Sequence, residues 1–294
     1  FDVSDTDYPF AYNPLDISSE EELDSAVGQV ETLLATFDFG KAQGPRALTY
    51  IRLAAKAMAE ANIRASLSEH NKLGLLHIPR FFSDSEFRRL VVEWARASDV
   101  LSHFHPDTGS FEVAGERQQL DIAAPIQRVF ADLESSQTMA PVFASGRNKL
   151  DIPGLLRQGK IVVLKLGGFG RQRHPGEALA AMTLTMAILS AQTYGKMTDP
   201  RTGERRGRGA RIIVDEAPAV LRAGGNAATY AKALAEVRKL DIGCIAVGQY
   251  LHQLPDDLVK AILNNTETKV IFRLSSGGSG GIERELPPLE AKDL

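Results

Sequence analysis

Two adjacent carboxylates, Asp215 and Glu216, close a run of branched apolar residues in Arg211-Ile-Ile-Val-Asp-Glu-Ala-Pro218. A buried parallel strand that ends this way can hold a phosphate-bound Mg²⁺ with the first acid and polarise an attacking water with the second. The same pattern also suits a strand-to-helix turn in which an acid only caps the helix. A second apolar run, Ile242-Gly-Cys-Ile-Ala-Val247, ends in Gly248-Gln249 and sets a neutral amide at the carboxyl edge of a neighbouring strand. Open α/β sheets bind ligands at that edge, where Gln249 either reads a γ-phosphate and orients water or caps a turn. Arg238-Lys239 closes the helix before that strand, where cations also complement the helix dipole. One partner of such a site is missing: the chain contains no G-x-x-x-x-G-K-[ST], the loop whose backbone amides cradle phosphates. The glycine-rich Gly167-Gly-Phe-Gly-Arg-Gln-Arg-His-Pro-Gly176 follows a strand but lacks the Lys-Ser/Thr pair, and Gly159-Lys160 precedes a strand instead of following one.

The elements expected to position these residues alternate in kind. Gly159 to Leu166 reads as a strand, Gly176 to Tyr194 as a long helix, Arg211 to Asp215 as a strand and Ala227 to Leu240 as a helix. Ile242 to Val247 then reads as a strand, Asp256 to Leu263 as a helix and Lys269 to Leu274 as a strand. Strand, helix, strand in regular order implies parallel crossovers and specifies a three-layer α/β sheet. Upstream the pattern is helical. Ser18-Ser-Glu-Glu-Glu22 starts a helix that runs to about Ala35, and residues 45 to 143 carry apolar positions three and four apart, as in Asp84 to Trp94, which reads as an all-α insertion with Trp94 in a helix core. The domains expected are therefore 1–44, the start of an α/β domain; 45–146, the insertion; and 147–294, the rest of the α/β domain. Asp199 to Gly209 and Ser275 to Gly281 read as flexible loops.

Composition narrows the choices. A chain of 294 residues with 44% hydrophobic content can bury a large core, and a net charge of -3 gives no whole-molecule attraction to nucleic acid. DNA contact would fall to local basic loops: residues 167–176 with Arg171, Arg173 and His174, and residues 199–211 with Arg201, Arg205, Arg206, Arg208 and Arg211. The alternative for both is a loop kept solvated by its charge. The lone Cys244, inside an apolar run, reads as a small core residue of a reducing compartment. No run approaches the about 18 apolar residues of a membrane span, and the acidic start Phe1-Asp-Val-Ser-Asp5 is unlike a signal peptide. His103-Phe-His105, with His70 and His77 nearby in sequence, has no Cys or acid cluster to complete a tetrahedral metal site. No Ser-His-Asp or Cys-His arrangement stands out.

Taken in order, the acidic strand, Ala-Glu-Val-Arg-Lys-Leu-Asp-Ile-Gly (235–243), Gly-Gln-Tyr-Leu-His-Gln-Leu (248–254) and Ala-Ile-Leu-Asn-Asn-Thr-Glu-Thr-Lys-Val-Ile-Phe-Arg-Leu (261–274) resemble the TraG/TraD-type coupling ATPases of conjugation and type IV secretion, within the HerA/FtsK group. Phe-Ala-Tyr-Asn-Pro-Leu (10–15), Gln-Gly-Pro-Arg (43–46) and Leu-Asp-Ile-Pro-Gly-Leu-Leu-Arg-Gln-Gly-Lys-Ile-Val-Val-Leu (150–164) extend the resemblance over nearly the whole chain, and the 235–274 block is its most specific part. It implies a RecA-like sheet of mostly parallel strands with an inserted all-α domain, ATP and Mg²⁺ as ligands, and a homo-hexamer that moves DNA. Asp215 would bind the metal, Glu216 activate water and Gln249 sense the γ-phosphate. Arg238 would be the finger offered to the next subunit, with Arg273 a further nucleotide contact. Partners would be DNA, single- or double-stranded, a relaxase and type IV secretion components. The place would be the bacterial cytoplasm or the cytoplasmic face of the inner membrane, with membrane attachment only through a region outside this chain. Family members carry the phosphate loop upstream of the segment equivalent to Phe1, so the chain reads as a piece of a longer protein that by itself binds ATP weakly or not at all. A HerA/FtsK-type DNA-processing translocase and a non-catalytic, truncated or degenerate oligomerising DNA-binding module are the alternatives.

Overall fold

The computed structural model describes residues 1–2, 5, 7–9, 11–36, 39–65, 67–68, 71–137, 139–165, 184, 187–188, 190–191, 202–203, 210–222, 242–248, 254, 256–266, 268–270 and 272. They divide into two compact units, one of residues 1–151 and 164–179, the other of residues 152–163 and 180–294.

The first unit is helical. The acids expected to open its first helix do so: the Glu22 carboxylate accepts from the Ser18 N–H at 2.8 Å and from the Ser19 N–H at 3.3 Å, occupying donors that a helix start leaves bare. Helix α1 (Leu23–Thr36) then buries Ala26, Val27, Val30, Leu33 and Leu34 against α2 (Phe39–Arg64). Arg52 of α2 and Glu31 of α1 pair at 2.7 Å across the outer edge of that contact. Next come the short α3 (Ile78–Ser83), α4 (Ser85–Val92) and α5 (Ser98–Phe104), then α6 (Glu116–Ser135) and α7 (Ala140–Phe143). In α6 the residues Ile122, Ile126, Phe130 and Leu133 recur at helical spacing and are all buried, the pattern of a face turned to a core.

An aromatic cluster fills the centre. Phe81 meets Phe104 edge-on at 4.9 Å and 89°, Phe104 lies 5.5 Å from Phe111, and Tyr50 of α2 stands 5.8 Å from Phe111. Arg88 is buried beside it, with its guanidinium 5.0 Å from the Phe111 ring centre and paired with Glu112, so the charge is answered where it is desolvated. Trp94 follows the end of α4 and is 39% exposed, at the margin of this core and not within it.

Two buried amides tie distant segments to the helices. Asn13 donates through Nδ2 to the carbonyls of Leu73 at 3.0 Å and Gly146 at 2.7 Å, and its Oδ1 accepts from the Leu15 N–H at 3.0 Å. Asn62 donates to Leu15 O at 2.9 Å and Leu73 O at 2.8 Å and accepts from the Leu73 N–H at 2.7 Å. The stretch at 11–15 therefore satisfies its backbone partly through side chains and partly through backbone bonds, Tyr12 N–H to Val142 O and Lys149 N–H to Ala11 O, both at 2.9 Å, as buried irregular chain must. Near the start of the chain, Asp2 and Lys165 form an isolated parallel bridge, with the Lys165 N–H donating to Phe1 O at 2.8 Å.

The second unit holds α8 (Ile152–Arg157), β1 (Arg211–Val214), α9 (Ala217–Arg222), β2 (Gly243–Ala246) and α10 (Asp256–Asn265). Strands β1 and β2 pair in parallel, with Arg211 opposite Gly243 and Val214 opposite Ala246. Leu258 of α10 is fully buried.

The expected three-layer, RecA-like sheet of mostly parallel strands is corrected here: among the described residues the sheet has two strands, and helix predominates. The strands expected at 159–166 and 269–274 are the point of failure. Their described residues form no ladder apart from the Lys165 bridge, and Ile161 (92%), Val270 (74%) and Phe272 (84%) lie open to solvent. Apolar, β-branched sequence states that a residue suits a half-buried pleated surface, yet a strand exists only where a partner offers its hydrogen bonds. The expected helix at 176–194 falls on the described residues only at 184, 187–188 and 190–191, all helical, and the helix expected at 227–240 lies outside them.

Candidate active site

The acid pair lies where β1 stops. Arg211, Ile213 and Asp215 alternate on one side of the strand with Ile212 and Val214 on the other, and Val214 is buried. Past the last paired residue the ladder continues by one bond, from the Val247 N–H to Val214 O at 2.9 Å. Three residues after Val214 the chain returns to the same neighbour, the Ala217 N–H donating to Val247 O at 2.7 Å. Asp215 and Glu216 form the turn between these two bonds, and both are exposed.

Glu216 carries the geometric cost of that turn. Its φ is +48°, the only positive φ at a non-glycine residue among those described, in a region that disfavours a side chain by about 1–2 kcal/mol. The Asp215 Oδ1 accepts from the Glu216 N–H at 3.0 Å, which ties the first carboxylate to the turn. Strained backbone held by the surrounding ladder, with two exposed acids on it, is the kind of outlier that clusters at functional sites.

On the facing strand, Gly248 follows Val247 directly. A Cβ placed on Gly248 would fall within the van der Waals shell of Pro218 Cδ and 2.7 Å from its Cγ, so the proline ring rests on bare backbone. Sequence reading passed over Gly248 and Pro218. The signal was a glycine immediately before Gln249 and a proline immediately after the acids, both of which turn signals explain equally well.

The other candidates separate plainly. Arg238, Gln249, Arg273, Arg171 and Arg173 lie outside the described residues, as do Arg201, Arg205, Arg206 and Arg208. Arg211, grouped by sequence with a basic loop, begins β1, donates from Nη1 to Ala210 O at 3.0 Å and lays its stem over Gly243. Cys244 sits mid-strand in β2, half-buried, and burial pushes its thiol above the ordinary range, away from nucleophilic use. His103 stands edge-on to Tyr50 at 5.7 Å with Nδ1 2.8 Å from Asp99 O, engaged in helix packing.

Among the described residues no group of three or more His, Cys, Asp or Glu is placed to hold a metal ion. Mg²⁺, however, is commonly held by only one or two carboxylates, with waters and substrate phosphates completing the octahedron. Exposed Asp215, with one oxygen tied to backbone and Glu216 beside it, fits that partial kind of site and not a self-sufficient cage. No helix among the described residues is long and apolar enough to cross a membrane. Compared with known proteins, the chain matches no family model, and no curated protein or solved structure is significantly similar to it.

Proposed function

We propose that this chain carries the acidic half of a nucleotide-hydrolysing site and serves an ATP-driven DNA translocase of the TraG/TraD coupling type, feeding DNA or nucleoprotein into a conjugative type IV secretion channel. The observation that carries the reading is the acid pair: two exposed carboxylates on a strained turn at the carboxyl end of β1, pinned from both sides to the end of a parallel neighbour. The ordered motifs from 235 to 274 support the coupling-protein identity.

In this reading Asp215 holds Mg²⁺, and Glu216 accepts the proton of the attacking water as the bond from the γ-phosphorus to its bridging oxygen breaks. The metal, when bound, neutralises charge on the phosphate oxygens. Gln249 orients the water, Arg273 adds a nucleotide contact and Arg238 reaches the nucleotide of the next subunit in a homo-hexamer. Arg171 and Arg173 track DNA phosphates, and the work takes place in the cytoplasm or at the cytoplasmic face of the bacterial inner membrane, alongside a relaxase. The 294 residues contain no G-x-x-x-x-G-K-[ST] loop, so in this reading the phosphate-cradling amides come from other backbone and the assay is run on the protein as its gene encodes it.

The test is DNA-stimulated ATP hydrolysis by that protein. Glu216→Gln should lower turnover by about 10²–10⁴, the range for loss of a general base, and Arg238→Ala by about 10³–10⁵. Hydrolysis that persists in both variants refutes the proposal.

A further inference from the structure

We propose that Gly248 is the positioning residue of the acid pair: the absence of a side chain there lets Pro218 seat on the backbone just past β2 and holds Asp215 and Glu216 in their turn. The inference rests on the reading of the pair as a metal-binding site.

The geometry is a clasp with both halves on the same neighbour. Upstream of the acids, Val214 O accepts from the Val247 N–H at 2.9 Å. Downstream, the Ala217 N–H donates to Val247 O at 2.7 Å, and the Pro218 ring covers the next peptide at Gly248. The acids span the gap between these anchors, and Glu216 pays for the span with its +48° φ. Ala217 (3% exposed) and Pro218 are buried, so the downstream anchor is covered by the rest of its unit. Any side chain at 248 therefore strikes Pro218, lifts the first turn of α9 and stretches the Ala217 bond. Glu216 then relaxes from its left-handed conformation, and the two carboxylates lose their fixed relation.

Gly243, at the start of β2, provides the contrast. A Cβ there would also come close to a neighbour, 2.6 Å from Arg211 Cδ, but that neighbour is a long flexible stem that can swing away. Pro218 cannot, because its ring is closed on the backbone. Of these two glycines, only Gly248, beside the acids, faces a neighbour that cannot swing away.

The experiment uses the 294-residue chain and Mn²⁺ alone as the probe, read by paramagnetic broadening of the backbone amides at 214–217. Wild type should show saturable broadening that Asp215→Asn removes. Gly248→Ala should weaken apparent Mn²⁺ affinity about 10–100-fold, the loss seen when groups that orient metal ligands are disturbed. Removing the ring in Gly248→Ala/Pro218→Ala should restore affinity to within about threefold of wild type, taken as a small fraction of that loss. Leu258→Ala, which empties a fully buried position of α10 in the same unit, should lower stability and leave Mn²⁺ affinity unchanged. If Gly248→Ala does not fold, the double variant should recover folding, and failure to do so overturns the proposal. Wild-type binding that Gly248→Ala leaves unchanged, or that the double variant fails to rescue, overturns the positioning role alone. Absence of Asp215-dependent broadening in wild type overturns the metal reading and this inference with it.

Discussion

Replacing Glu216 with glycine should make the protein more stable while removing the group assigned to water activation. Glu216 holds φ at +48°, where an L side chain costs about 1–2 kcal/mol. Glycine removes that cost but gives the unfolded chain extra freedom worth about 0.5–1 kcal/mol, so Glu216→Gly should stabilise by about 0.5–1 kcal/mol. Alanine keeps the Cβ and should change little, which makes the Gly–Ala difference the measured quantity. Asparagine, enriched in left-handed backbone, should fall near glycine. The Glu216 side chain is exposed, and the bond from its N–H to Asp215 Oδ1 is a backbone donor that every variant keeps. The lone tryptophan, Trp94, lies in the other compact unit, so its fluorescence is the wrong probe. Hydrogen exchange at the Val247 N–H, bonded to Val214 O, reports the clasp itself. A gain near 1 kcal/mol should slow its exchange about fivefold in Glu216→Gly relative to Glu216→Ala. Equal exchange in the two variants, or faster exchange in glycine, would show that the turn stores no strain and would remove the physical argument for selection of an acid there.

Two further outcomes concern the helical unit. Asn13→Ala strands the Leu15 N–H and Gly146 O, while Leu73 O keeps its bond from Asn62; two such groups at about 1–3 kcal/mol each predict a loss of about 2–6 kcal/mol in urea unfolding followed by Trp94. A loss under about 1 kcal/mol would mean the amide hub is not holding residues 11–15. His77 Nδ1 lies 3.0 Å from the Gly74 N–H, its ring stacks on Phe87, and burial, assisted by the nearby Arg80 charge, holds the imidazole below its ordinary value of 6.5. The folded state thus binds the proton less readily than the unfolded state. The contribution is complete above pH 6.5 and is lost as pH falls through the folded value, so stability should drop between pH 7.5 and 5 and drop less in His77→Gln. Parallel pH profiles for the two proteins would exclude His77 as the source.

Legibility differed by element. The opening of α1 was readable because Glu22 and the two serines sit within one turn, and α6 because residues 122, 126, 130 and 133 recur at helical period. The cap of α4 is equally local, Asp84 accepting from the Phe87 N–H at 2.9 Å. Strands β1 and β2 were readable as apolar runs ended by turn residues, and their parallel pairing agrees with the expected adjacency. The runs at 161–164 and 269–272 look no different in composition, yet no ladder forms on their described residues. The acids themselves were visible in the sequence; the left-handed Glu216 and the proline seated on Gly248 were not, because each depends on what the other strand presents.

Local sequence is enough to specify the helices and the place where two carboxylates end an apolar strand, since helix hydrogen bonds and side-chain period are settled within a few neighbouring residues. Long-range packing selects which strand receives a partner, how Asn13 meets Gly146 across 133 positions of chain, and that both anchors of the acid turn fall on Val247 and Gly248. These are contacts between residues far apart in sequence, whose loop-closure cost is recovered only when the whole contact forms, and no local pattern records that outcome.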